Sequence, residues 1–168
     1  AFWLAASRNQ PEAVPGEIAV TVDDARCDPM EITVPAGKTT FRIHNASTLG
    51  ARIEKRGDQF AVFAAGVTFD NGNDVLVNDG TLQINGTGGD FGAYQIAPIA
   101  RLEFGTELGS TRTLTGTSAI SGSGTLHKFD EGTLEIIGGY ALSGPTEVVD
   151  GVLSIDAADP LILTNLTV

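Results

Sequence analysis

A single cysteine, Cys27, among 168 residues rules out an internal disulfide, so the fold must be held by packing and backbone pairing. Cysteine this scarce suits a bacterial periplasmic or exported protein. Basic residues are few as well: ten Lys and Arg stand against 21 Asp and Glu, for a net charge of -11. A surface of that sign repels phosphate backbones, which argues against nucleic acid as a partner, and its plain role is solubility. The carboxylates do not form a calcium loop, because Asp23-Asp24, Asp70 to Asp74 and Asp130-Glu131 lack the spaced ligand pattern. The apolar opening, AFWLAA, is six residues long where a membrane helix needs ~20. It reads either as the trailing end of a signal or anchor segment or as an N-terminal strand. No Gly-x-Ser-x-Gly occurs, and no Ser/His/carboxylate set sits on a recognisable elbow. The runs Gly86-Thr87-Gly88-Gly89 and Gly122-Ser123-Gly124 neither open a helix nor precede Lys-Ser/Thr, so they read as corners and not as phosphate cradles. No enzyme activity is expected.

What the chain does contain is repetition. Gly-Thr-Leu stands at Gly80 to Leu82, Gly124 to Leu126 and Gly132 to Leu134, and a looser copy, Gly151-Val152-Leu153-Ser154-Ile155, follows. Each copy is a turn glycine followed by an alternation that places Leu82/Ile84, Leu134/Ile136 or Leu153/Ile155 on one strand face and Gln83, Glu135 or Ser154 on the other. A unit this short cannot bury its own apolar face, so its neighbours must be stacked copies of itself. Leu82 to Leu102 is a step of 20 residues, Leu114 to Leu134 is 20 and Leu134 to Leu153 is 19. A step near 20 fits one rung of a parallel β-helix. Leu82, Ile84, Leu102, Phe104, Leu134, Ile136, Leu153 and Ile155 are therefore expected in one interior.

The N-terminal third reads differently. Pro11, Pro15 and Gly16 make residues 1–17 a tail or linker, and strands are expected at Ile18 to Val22, Glu31 to Val34 and Thr39 to Ile43, opening an antiparallel β-sandwich. Residues 50–70 fit either a fourth sandwich strand or the first cap of the repeat array, with Phe60, Val62 and Phe63 favouring strand.

Two stretches carry family resemblances. Val20 to Asp24, Cys27-Asp28-Pro29-Met30-Glu31-Ile32-Thr33-Val34, Ala36 to Thr39 and Phe41-x-Ile43-x-Asn45-x-Ser47 resemble the first half of the cupredoxin-like domain of periplasmic iron-uptake proteins. That resemblance implies a β-sandwich with copper or iron near Cys27 and Met30. The family's later acidic segment and second cysteine are absent, and two soft donors do not complete a site of three or four ligands, so no resident cofactor is expected. Ile120 to Lys128, Gly132 to Ile136, Ser143-Gly144-Pro145-Thr146-x-Val148 and Gly151 to Ile155 resemble the strand repeats of bacterial autotransporter passenger domains, which implies an exported, right-handed parallel β-helix. The passenger lysine is kept at Lys128, but the glycines expected beside it are Phe129-Asp130-Glu131, which implies a longer or altered corner.

The expectation is thus an all-β chain. A short cupredoxin-like β-sandwich segment at 18–67 leads into a right-handed parallel β-helix, or solenoid, at 68–168. The role read from it is an exported structural or adhesive scaffold of the bacterial cell surface, with a periplasmic metal-binding module of an iron or copper uptake system as the alternative. Expected partners are further copies end to end, joined at the uncapped run Asp159 to Val168, and a surface glycan or protein. Weaker features have plain readings. His44 reads as a solvated residue, Glu103 and Glu135 as an outer face before a hydrolytic pair, and Tyr94 and Tyr140 as corner covers before sugar platforms. The sequons at Asn45, Asn85 and Asn165 matter only in a eukaryotic secretory route.

Overall fold

The computed structural model describes residues 17–23, 27–28, 40–45, 53–66, 68–69, 71–115, 119–156 and 166–167. At the N-terminus, β1 (Glu17–Val22) lies between β2 (Cys27–Asp28) and β3 (Thr40–Asn45). The β1/β2 pair is antiparallel, but β1 and β3 run parallel, Ile18 beside Phe41 and Val20 beside Ile43. This corrects the antiparallel expectation. The connection from Val22 to Thr40 exceeds the dozen residues a parallel crossover needs, whereas the β1/β2 link is a hairpin-length turn. The strand expected at Glu31 to Val34 lies outside the described residues, as does Met30.

From Ile53 onward the chain winds in rungs. The first rung holds β4 (Ile53–Lys55) and β5 (Phe60–Phe63), and the second β6 (Val75–Val77), β7 (Thr81–Ile84) and β8 (Gly89–Asp90). The third holds β9 (Ala93–Ile96), β10 (Arg101–Gly105) and β11 (Thr111–Leu114), and the fourth β12 (Ala119–Gly122), β13 (Thr125–Phe129) and β14 (Thr133–Ile136). The fifth holds β15 (Gly139–Leu142), β16 (Thr146–Val148) and β17 (Val152–Ile155), and β18 (Leu166–Thr167) follows. These strands stack into three parallel walls. The first wall is β4-β6-β9-β12-β15, the second β5-β7-β10-β13-β16-β18 and the third β8-β11-β14-β17, together a β-solenoid of about five turns. Residues 53–63 are thus the base of the stack, the second of the two alternatives for that region, and stacking begins before Thr68, where the composition changes. Of the run Asp159 to Val168, only Leu166 and Thr167 are described, and they pair with Thr146 and Glu147.

The interior is one core. Leu82, Ile84, Leu102, Phe104, Leu126, Leu134 and Ile136 are at most 1 % exposed, and Leu153 and Ile155 pack against them at the last full rung. Stacking of like on like drives this, since each aliphatic side chain removed from water contributes roughly 1.5–3 kcal/mol. The Gly-Thr-Leu phrases do not share one column, however. Leu82, Leu102 and Leu126 stack on the second wall, while Leu134 and Leu153 stack on the third. The glycines share one requirement, since a Cβ on Gly80 would lie 2.4 Å from the Gly57 carbonyl and one on Gly132 2.3 Å from the Glu107 carbonyl of the rung below; Gly80 in addition takes a left-handed φ of 63°.

One alignment is corrected by two residues. Leu114 pairs with Ile136, a step of 22, and it is Arg112 that faces Leu134. A two-residue slip keeps every side chain on its own face, so alternation alone does not choose between the registers. Arg112 chooses, because its guanidinium is anchored inside the stack.

Candidate functional site

Two polar constellations stand out, one inside the solenoid and one on its second wall. Inside, Arg112, Asp90 and Tyr94 are each fully buried. Arg112 Nη2 lies 2.7 Å from Asp90 Oδ2 and donates to the Phe69 carbonyl at 2.7 Å, while Nη1 donates to the carbonyls of Gly86 at 3.1 Å and Thr87 at 3.3 Å. Tyr94 donates its hydroxyl to Asp90 Oδ1 at 2.5 Å. The guanidinium also sits between the rings of Phe69 and Phe104, 5.5 and 5.6 Å from their centroids. Burial pushes the Asp90 carboxyl above its ordinary range, and Arg112 and the Tyr94 hydroxyl pull it back. Burial, reinforced by Asp90, drives the Tyr94 phenol well above its usual value. The cluster joins three rungs with all three side chains fully buried, the setting of a structural ion pair.

Two lysines play a similar part at corners. Lys128, 0 % exposed, donates from Nζ to the carbonyls of Phe129 (2.6 Å), Asp130 (2.5 Å) and, one rung on, Asp150 (3.3 Å). Lys55 does the same for Arg56 (3.2 Å), Gly57 (2.5 Å) and Asp79 (3.0 Å). Burial lowers both ammonium groups from their ordinary value, opposed by Asp130 and Asp150 at Lys128 and by Asp79 and Asp58 at Lys55. The Lys128 corner is altered and not lengthened: Asp130 takes a left-handed φ of 65°, while the step from Leu126 to Thr146 is 20, against 24 from Leu102 to Leu126.

On the outside of the second wall, strand register lines up Val62, Gln83, Glu103, His127, Glu147 and Thr167. Arg101 clips this row together. Its Nε lies 2.6 Å from Glu103 Oε1 and its Nη2 2.8 Å from Glu147 Oε2, two rungs apart. Partial burial works against the Arg101 cation, but its bonds to Glu103 and Glu147 outweigh that and raise its pKa. His127 Nδ1 meets Glu103 Oε1 at 3.1 Å, and its ring stacks on Phe129. With both carboxylates occupied by one guanidinium, the row is a hydrogen-bonding ridge and a poor acid/base pair. Glu135 is on a different wall, where it accepts from Thr113 Oγ1 at 3.1 Å, so Glu103 and Glu135 do not face one another.

The residues singled out from sequence are dispersed. Cys27 pairs with Val22 at the edge of the small N-terminal sheet, and Met30 lies outside the described residues. His44 sits in β3 and His127 on the second wall, in different sheets. Among the described residues no group of three or more His, Cys, Asp and Glu converges as metal ligands do. Tyr94 is interior, and Tyr140 packs against the core with its hydroxyl on Thr146. Sequence reasoning missed the Asp90-Tyr94-Arg112 cluster. The available signal was a basic residue in an inward position of the alternation Thr111-Arg112-Thr113-Leu114.

Comparison with known proteins concerns the N-terminal third. Residues 1–57 match the cupredoxin-like domain family. The iron uptake system component EfeO of Yersinia pseudotuberculosis is 50% identical over 38 residues, 23% of this chain and 10% of that protein, and EfeO of Yersinia pestis matches to the same extent. The chain thus spans about a tenth of the length of these curated relatives. No solved structure matches. The match ends at residue 57, past the strand Ile53–Lys55 that already pairs into the solenoid. Cys27 and Met30 supply two of the three or four ligands a copper or iron ion takes, and of the two only Cys27 lies among the described residues. Among the described residues no helix is long and apolar enough to cross a membrane.

Proposed function

We propose that this chain is an exported β-solenoid scaffold of the bacterial cell surface, structural or adhesive, that binds through its long lateral walls and carries a cupredoxin-like segment at its N-terminus. The observation that supports it is the second wall: six strands in continuous parallel register, with one outward row clipped across rungs by Arg101. Such a wall is a rigid, extended face, the feature repeat proteins use for binding. Its partners are a surface glycan or protein and further copies end to end. The resemblance to autotransporter passengers fits export, and no catalysis is assigned. The test is attachment of the purified chain to intact cells and immobilised extracellular matrix. Saturable attachment reduced by Arg101→Ala supports the reading, and none above a scrambled control removes it.

A second reading has its own support, in the cupredoxin-like match and in the EfeO relatives, whose name is that of an iron uptake component. On that reading the chain is a periplasmic metal-binding module with the solenoid as accessory. Elemental analysis of protein purified without chelator separates the two. The scaffold reading expects no stoichiometric copper or iron and near-unchanged folding in Cys27→Ser. One tightly held metal per chain, lost in Cys27→Ser, reverses the ranking.

A further inference from the structure

At the corner between the first and second walls, a groove of about 300 Å³ is lined by Asn78, Gln95, Ala97, Pro98, Gly122 and Ser123. It crosses three consecutive rungs, because Asn78 follows β6, Gln95 to Pro98 end β9, and Gly122-Ser123 end β12. Gly122 makes it possible. Its φ is 111°, and a Cβ there would sit 2.1 Å from the Ile96 carbonyl, so this rung closes flush on the one below; the neighbouring Gln95 side chain is exposed. The Ile96 carbonyl is in turn occupied by the amides of Ser123 and Gly124, at 3.0 and 3.2 Å.

The polar groups at the two ends of this corner have partners. Asn78 Nδ2 donates to Glu54 Oε1 at 2.5 Å, and Ser143 Oγ donates to the Gly122 carbonyl at 3.0 Å. Those in the middle are open: neither the Gln95 amide nor the Ser123 hydroxyl has a side-chain partner among the described residues, and the Asn78 bond fixes that amide while leaving its oxygen as an acceptor. The volume is at the small end of the ~300–1,000 Å³ usual for ligand pockets. The geometry points to a binding site for one or two units of a neutral saccharide. Open amide and hydroxyl groups match sugar hydroxyls as donors and acceptors alike, the Ala97-Pro98 edge offers an apolar wall, and no charged side chain lines the groove to pair with an ionic ligand. The inference rests on the adhesive reading and places its ligand in this groove, away from the Arg101 row.

Cellotetraose and maltotetraose, titrated into the full chain and followed through the Gln95 side-chain amide and Ser123 backbone resonances, test it. With no aromatic platform in the groove, half-saturation of roughly 1 mM is expected for one of them. Gln95→Ala and Ser123→Ala should each weaken it about fivefold or more, as loss of a hydrogen bond does, and Thr113→Ala on the third wall should not. Equal binding by the groove variants, no shift at these resonances with either sugar, or a stronger response to tetragalacturonate would overturn the assignment. Cell attachment measured alongside keeps the two claims apart. Attachment unchanged in Gln95→Ala with no saccharide shift sinks the groove alone, whereas an intact titration with no attachment sinks the scaffold reading and leaves the groove.

Discussion

Replacing Arg112 by leucine removes a cation of 0 % exposure from between Asp90 and three backbone carbonyls, and fills much of its volume with hydrocarbon. What remains is a fully buried carboxylate that has lost the Arg112 cation and keeps hydrogen bonds from the Tyr94 hydroxyl and the Asn71 backbone. Breaking one half of a buried pair typically costs about 3–5 kcal/mol, most of it the stranded charge and not the lost attraction. The double variant Arg112→Leu/Asp90→Asn removes that charge, so it should be more stable than Arg112→Leu, with a coupling of about 1–3 kcal/mol. The pH dependence has a definite sign. Asp90 is already raised above its ordinary value by burial, and without Arg112 it rises further. A carboxyl raised in the folded state is proton-bound on folding, so its cost is absent below the unfolded value near ~3.9, grows as pH rises, and is complete above the folded value. The deficit of Arg112→Leu should therefore shrink when unfolding is measured by urea titration at about pH 4.5 instead of 7. A loss under about 1 kcal/mol, additive single losses, or a deficit independent of pH would refute the account of this cluster.

Lys128→Met should cost about 1–3 kcal/mol, read as a lowered melting temperature, because three carbonyls lose their shared donor at a part-buried corner. Leu102→Ala should cost about 2–5 kcal/mol in the same assay, since Leu102 is fully buried between Leu82 and Leu126 with the rungs fixed above and below.

Much of the solenoid was legible because the alternation is strict where it matters. Leu82/Ile84 and Leu134/Ile136 face inward because a period of two leaves no other side, and the 20-residue step from Leu82 to Leu102 survives in the observed register. The register of Leu114 was not legible. The decisive group, Arg112, is charged, and a charged residue inside the stack becomes intelligible only once Asp90, Phe69 and Gly86 are brought to it from 22 to 43 positions away. The base of the stack was hidden for a related reason, because Ile53–Lys55 lacks the glycine phrase and its inward lysine reads as surface charge. On the outer wall, Glu103 was visible as a carboxylate. Arg101 stands two residues away on the same strand, but His127 beside Glu103 and Glu147 on Arg101 converge only through the 24- and 20-residue steps between rungs, which the sequence spacing does not announce.

The stack itself is tested most directly by a distance. Spin labels on Val62→Cys and Glu147→Cys, in a Cys27→Ser background, stand on one outward row of the second wall, four strand spacings apart through Gln83, Glu103 and His127. Parallel in-register stacking places those backbones about 19 Å apart, at ~4.8 Å per strand, so pulsed electron resonance should return one narrow distribution near that value, broadened only by the label arms. A broad distribution, or one centred well beyond about 30 Å, would mean that these strands do not share a wall, and the solenoid would be contradicted.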